Sequence, residues 1–414
     1  MIPKPVDLAA TASNALSERN FMRDVFVHVP NPGDHYSPRT GSAIISIIYE
    51  LARAHAAVGG ATKVLVSRGS TTGYPPYSTG ELVEVEGAMA LPDARRKALD
   101  VLAGGLVHHR PFMSRAYRGA IDYVCAHPES ITIVHNEPGV ITSMRTAAPE
   151  AKLCFWVNND LFRTYGARET RAVVRACDWV VCCSSYIASG ILRKIGPASG
   201  LEEKVHVVLN GVDAEKFRPV QARPDGPPVI LFVGRVVEQK GPDLLVRAAR
   251  ILRTKGLDFR LRVVGSAGFA KSGSLTPYEE SLRALAEGLK DVVEFIPFVP
   301  REQVPVLLQE AAVFCVPSNW DDPCPLAVLE GLACGLPMVV SSRGGIPEEC
   351  GDAALYFDPP DVDMLAHHIE ALITDSNKRA NLGSAARRRA ELSTWGERYR
   401  QFLTVVLRKE PDKI

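Results

Sequence analysis

Pro228-Val229-Ile230-Leu231-Phe232-Val233-Gly234-Arg235 decides the fold, with Lys240-Gly241 following at the start of a helical pattern. An unbroken apolar run of this length, rich in β-branched residues, reads as a strand covered on both faces, as in a parallel sheet flanked by helices. Gly234 directly after it lets the backbone approach a ligand with no Cβ in the way. Arg235 offers a planar fork suited to phosphate oxygens, and Lys240 a point charge, both beside helix amides that attract anions. Taken alone, the two cations read better as solvated residues at a helix start.

The same strand-turn-helix rhythm runs outward in both directions. Downstream, Phe259–Val264, Val292–Phe295, Val313–Val316 and Met338–Ser341 are buried-strand patterns. Upstream, Phe26–Val29, Lys63–Val66, Ile131–Val134, Leu153–Val157 and Trp179–Cys182 alternate with helical stretches such as Ala43–Ala57, where Ile44, Ile47, Ile48 and Leu51 share one face. Between the series lies a breaker cluster, Pro219, Pro224, Gly226, Pro227 and Pro228. The expected architecture is α/β, two Rossmann-like doubly wound domains facing across a cleft. Residues 21–218 form the first and 219–390 the second, with a linker at 219–228, a mobile leader at 1–20, and a C-terminal helix within 391–414. In that helix Trp395, Tyr399, Phe402, Val406 and Leu407 need a partner surface, which the first domain can supply.

Composition narrows the function. The chain has 414 residues, 46% hydrophobic and 23% charged, enough for full cores and for two of them. Its 48 basic and 47 acidic side chains give a formal charge of +1, which supplies no global field for nucleic acid. No apolar run is long enough to cross a bilayer, which leaves peripheral attachment open, and residues 1–20 lack the apolar core of a secretory signal. Nine scattered cysteines without metal-type spacing read as buried thiols in a reducing cytoplasm, and no metal site is expected.

A second cluster, Pro317-Ser318-Asn319-Trp320-Asp321-Asp322-Pro323-Cys324-Pro325-Leu326-Ala327-Val328-Leu329-Glu330, follows a strand and enters a helix. Backbone amides at that helix start can meet a phosphate, and Glu330, about two turns in, can accept two hydrogen bonds from a ribose diol. Asp322 is placed to touch a transferred sugar; the competing account makes it a helix cap and Glu330 an ordinary helix residue.

These residues resemble the retaining glycosyltransferases of family 4, which have the GT-B fold. Gly234-Arg235 with Lys240-Gly241 resembles that family's donor-phosphate motif, and Asp322 to Glu330 resembles its carboxylate pair, usually two glutamates. Pro325 stands where many members carry glycine, and since proline has no N–H the phosphate contacts fall to Leu326 and Ala327. The Asn210-Gly211-Val212-Asp213 turn, Pro337, Gly344-Gly345-Ile346-Pro347-Glu348 and Trp395 extend the likeness. The resemblance implies a hexose-type sugar moved from a UDP- or GDP-linked donor to a hydroxyl acceptor, with configuration retained and with neither metal nor cofactor. It leaves the acceptor open among small metabolites, natural-product precursors, lipids and polysaccharides.

In the first half, Arg39-Thr40-Gly41-Ser42 resembles the family's glycine loop facing the donor phosphates; an ordinary helix entry is the alternative. His135, at a strand end, is either a cleft residue or a satisfied buried histidine. Asn158 stands where many members carry a histidine near the sugar, and an amide hydrogen-bonds without exchanging a proton. Asp160 reads as a base or, better, a helix cap, and Asp361-Val362-Asp363 as a cap rather than a metal motif. His108-His109-Arg110, Arg115 and Arg118 read as a solvated basic face, with an anionic acceptor or headgroup as the second account; Arg387-Arg388-Arg389 is equally ambiguous. The expected catalytic set is Asp322, Arg235, Lys240, His135 and Asn158. The donor set is Gly41, Gly234, Arg235, Lys240, Pro325, Leu326, Ala327 and Glu330. A nicotinamide oxidoreductase is disfavoured, since no Gly-x-Gly-x-x-Gly loop opens either half. A catalytically silent nucleotide-sugar binder is the remaining rival.

Overall fold

The structure is a computed structural model describing residues 25–39, 41–71, 73–88, 90–197, 199–220, 226–268 and 274–407. The expected leader at 1–20 lies outside the described residues, as do Thr40 and part of the linker, residues 221–225.

Two sheets organise the chain. The first holds β1 (Val25–Val29), β2 (Ala61–Ser67), β3 (Glu81–Val85), β4 (Ile131–His135), β5 (Lys152–Val157), β6 (Trp179–Cys182) and β7 (Val205–Val207) in the order β3-β2-β1-β4-β5-β6-β7. The second holds β8 (Val229–Val233), β9 (Arg260–Val264), β10 (Val293–Ile296), β11 (Val313–Val316), β12 (Met338–Ser341) and β13 (Leu355–Phe357) in the order β10-β9-β8-β11-β12-β13. Every pairing is parallel. Each strand order therefore reverses once, between β1 and β4 and between β8 and β11, and ligands of such sheets bind beyond the strand ends at that reversal. These are two Rossmann-like domains of the GT-B kind.

The central strands are unbroken apolar runs because helices cover both faces. Val27, Val134, Phe155 and Val180 lie in one core cluster of the first domain, and Phe26, Ile133, Trp156 and Val181 lie in another on the alternate positions. That second cluster is completed by the last described helix, Trp395–Leu407, whose Trp395, Tyr399, Phe402 and Val406 pack with Phe26, Ile47, Leu51 and Trp156. The Phe402 ring meets Trp156 at 5.1 Å and Phe26 at 5.7 Å between centroids. The chain thus leaves the first domain near Phe217, builds the second, and returns.

Side chains settle several ambiguities. Asp361 accepts the amide of Met364 at 2.9 Å and caps Val362–Thr374, as the capping account has it. Asp160 is a correction, because its carboxylate caps nothing at the short helical turn Leu161–Thr164. Arg110 is another, being buried against Glu169 at 2.7 Å and over the Tyr165 ring rather than solvated. Arg387 and Arg389 spend their guanidinium groups on backbone carbonyls of Ala214, Phe217, Ala333, Glu348 and Glu349. None of the nine cysteines forms a disulfide, and only Cys125 is exposed.

Candidate active site

A cleft of about 490 Å³ lies between the domains, at the reversal point of the second sheet. The loop after β8 brings Gly234, Arg235 and Lys240 into its wall; the loop after β11 brings Ser318, Trp320, Asp322 and Pro325. The helix Leu326–Ala333 then enters with Pro325 as its N-terminal cap residue. Leu326 and Ala327 occupy its first turn, where amides have no intrahelical acceptor, and both line the cleft together with Glu330. From the first domain come Asp34, Gly41, Ser42, Asn158 and Asn210.

The carboxylates of the second domain are paired. Lys240 Nζ donates to Asp322 Oδ2, which also accepts from the Ser318 hydroxyl at 3.2 Å. Asp322 is buried, and it is not the cap of the following helix, since Pro325 holds that position. The expectation that Lys240 serves the phosphates and Asp322 the sugar independently is thereby modified, because in this state the two form one ion pair. Arg301, from the loop after β10, donates to Glu330 Oε1 and lines the same cleft. Burial pushes the Glu330 carboxyl up, with Arg301 and Lys216 opposing that rise.

The loop carrying Asp322 is clamped from behind by Gly344 and Gly345. A Cβ on Gly344 would stand 2.2 Å from the Asp322 carbonyl oxygen and one on Gly345 1.8 Å from that of Pro323, while the Gly345 amide donates to the Asp322 carbonyl at 2.8 Å. Gly344 also has φ +60°, so glycine is required there twice over. Beyond the pair, Glu348 accepts the amides of Ser185 and Tyr186 at 2.7 and 2.8 Å, capping a helix of the other domain (Ser185–Ile195). Tyr186 OH donates to Asp321 at 3.3 Å.

The first-domain wall is different in kind. Asn136, at the end of β4, adopts φ 56°, and its side-chain oxygen accepts the Asn158 amide at 2.7 Å. That bond fixes the backbone of Asn158, whose side-chain oxygen and nitrogen are buried without a partner. Asp34 Oδ2 and Asn210 Oδ1, on the same cleft, are also buried and unpartnered. Burial raises the Asp34 carboxyl to about 6, against a backbone hydrogen bond at Asn31 and the nearby His35, which lower it.

Most expected site residues meet in this cleft: Gly41, Asn158, Gly234, Arg235, Lys240, Asp322, Pro325, Leu326, Ala327 and Glu330. His135 does not. It is fully buried inside the first sheet, with Nε2 2.8 Å from Nδ1 of His28 and the two rings stacked, and burial pulls its pKa down to about 3. A neutral imidazole in that core pairs two adjacent strands and touches no substrate. Sequence reading gave no site role to Asp34, Asn210 or Arg301, although each follows a strand end (β1, β7 and β10) and Asn210 stands in the Asn210-Gly211-Val212-Asp213 turn.

Residues 213–389 match the family model of the glycosyl transferases group 1. The chain is a glycosyltransferase, similar to this family over its second domain. The enzyme is 29% identical over 298 residues to spore coat protein SA of Bacillus subtilis, an alignment covering 67% of this chain and 78% of that one. In fold it is similar to a sucrose-phosphate synthase from Thermosynechococcus elongatus, with TM-score 0.71, 18% identity, and 93% and 98% of the two chains covered. It is also similar to Anabaena HepE in complex with UDP-glucose, with TM-score 0.67, 16% identity, and 92% and 99% covered. Among the described residues of the glycosyltransferase no helix is long and apolar enough to cross a membrane.

Proposed function

We propose that this glycosyltransferase moves a hexose from a nucleoside diphosphate sugar, UDP- or GDP-linked, to a hydroxyl acceptor, with anomeric configuration retained, as in family 4. The observation that carries the reading is the convergence of Arg235, Lys240, the first-turn amides of Leu326 and Ala327, and Glu330 on one cleft at the reversal point of the second sheet. The cations and amides are suited to a diphosphate and Glu330 to ribose hydroxyls. The Anabaena protein solved with UDP-glucose supports such a donor.

In this mechanism the diphosphate draws Lys240 away from Asp322, and the freed carboxylate turns to hydroxyls of the sugar. Asn158, Asp34 and Asn210 hold hydrogen-bonding capacity on the opposite wall, where the acceptor would sit. Asn158 exchanges no proton, so deprotonation of the acceptor is assigned to the leaving phosphate on the same face of the sugar. The charges met by the donor are side-chain cations, and turnover is expected to persist in EDTA. Thermal-shift titration with UDP, GDP, ADP and their sugars tests the donor: a midpoint that climbs with ligand concentration for one nucleotide supports the reading. Flat midpoints for all of them sink it. Product formation with the selected sugar separates an enzyme from a silent binder.

A further inference from the structure

The helix Ala94–Val107 of the first domain is inside out. Its buried residues are Asp100 and Gly104, while Leu99, Leu102, Leu106 and Val107 are 52%, 64%, 82% and 67% exposed. At about 100° per residue, Leu99, Leu102 and Leu106 form one stripe roughly 150° round the helix from Asp100 and Gly104. The attachment explains the inversion. Asp100 accepts the amides of Phe112 and Met113, each at 2.9 Å, and Gly104 lies so close to Glu169 that a Cβ would stand 2.1 Å from its Oε1. A polar staple and a glycine contact fix the helix to the domain and leave its leucines to solvent, where an ordinary surface helix would bury them.

Charge surrounds this stripe with one dominant sign. Arg95, Arg96 and Lys97 are exposed in the first turns of the helix, and Arg115 and Arg118 are exposed on the short helices that follow. The neighbouring carboxylates are Asp93, 3.7 Å from Arg96, and Asp122, 3.9 Å from Arg118, both exposed. With 14 residues the helix is about 21 Å long and about 10 Å wide, far short of the roughly 800 Å² per partner of a standard protein interface. A leucine stripe flanked by basic side chains is instead what an interfacial helix presents to lipid.

We propose that this helix lies in the plane of an anionic bilayer, with Leu99, Leu102 and Leu106 among the acyl chains and Arg95 and Arg96 at the headgroups. The proposal stands apart from the donor assignment, since none of these residues lines the cleft.

Flotation of the full chain with phosphatidylcholine vesicles, with and without phosphatidylglycerol, tests it. The wild type should float with the anionic vesicles, and a Leu102→Ser/Leu106→Ser variant should partition at least about tenfold less. An Arg95→Gln/Arg96→Gln variant should lose roughly thirtyfold in preference for the anionic vesicles. The substituted side chains are all exposed, so circular dichroism and melting temperature should match the wild type. Wild-type protein that stays down with both vesicles at low salt overturns the proposal, as does a double leucine variant that floats like the wild type. A wild-type dimer in light scattering that the leucine variant converts to monomer overturns it too, by assigning the stripe to a second copy.

Discussion

On the second-domain wall of the cleft each carboxylate already has a cation, Asp322 with Lys240 and Glu330 with Arg301. On the first-domain wall Asp34 Oδ2, Asn210 Oδ1 and both side-chain amide atoms of Asn158 are buried with none. The same fold thus carries two electrostatic strategies. Paired ions keep the donor side in a defined geometry until a more highly charged ligand displaces one partner. The unsatisfied amide dipoles of Asn158 and Asn210 on the other wall cost about 1–3 kcal/mol each, a cost recovered when an incoming hydroxyl group completes them.

The contrast is broken most severely at Lys240. Lys240→Ala should lower affinity for the nucleoside diphosphate by about 1.5–3 kcal/mol, read by calorimetry, and should also leave Asp322 buried without its cation. Wild-type affinity in that variant removes the phosphate clamp. Asp322→Asn comes next. Because it releases Lys240, affinity for the free diphosphate should be equal or tighter, while turnover falls by about one to two orders of magnitude if the carboxylate touches the transferred sugar. Wild-type turnover would leave Asp322 as a counterion only.

A smaller effect is expected at Glu330, where Glu330→Gln should weaken a ribonucleotide donor by about 1 kcal/mol more than its 2′-deoxy analogue. Equal losses on the two donors would detach Glu330 from the ribose. The mildest test concerns the other wall and is read in stability. Asp34 has its carboxyl raised from 3.8 to about 6 by burial, so the folded state holds the proton more tightly than the unfolded one. Its contribution to stability is present in full below the unfolded value and is lost as pH rises through about 6. Asp34→Asn should therefore gain in melting temperature relative to the wild type as pH climbs across that window. A constant difference would show that Asp34 is not desolvated in solution.

The donor side was the legible side. Gly234, Lys240 and Asp322 follow strands in short loops and Glu330 lies on the helix after one of them, so their meeting could be read from order along the chain once two doubly wound domains were inferred. Asp34 and Asn210 also follow strands, β1 and β7, but the sequence did not show that their side chains turn into the cleft. His135 misled because a strand end usually opens outward; β4 is central, and β1 carries His28 beside it to receive the ring. The strands Glu81–Val85, Val205–Val207 and Leu355–Phe357 escaped notice for a related reason. All three are sheet edges with half-exposed faces, and Val205–Val207 and Leu355–Phe357 hold only three residues each, so none shows the continuous apolar run of a central strand.

The return of Trp395–Leu407 to the first domain has a topological consequence. The polypeptide crosses between domains twice, near Phe217 and again before Trp395, and the two crossings meet where Val212 bridges Thr394 and the Val212 amide donates to the Ser393 carbonyl at 2.9 Å. Two anchored strands of chain act as a two-pin hinge and permit bending about one axis while resisting free swivel. They also make the first domain discontinuous. A fragment stopped at residue 218 would lack the side chains that cover Phe26, Ile47, Leu51 and Trp156 and should aggregate, whereas adding the closing helix back in trans, or splicing it directly after Asp213, should restore solubility.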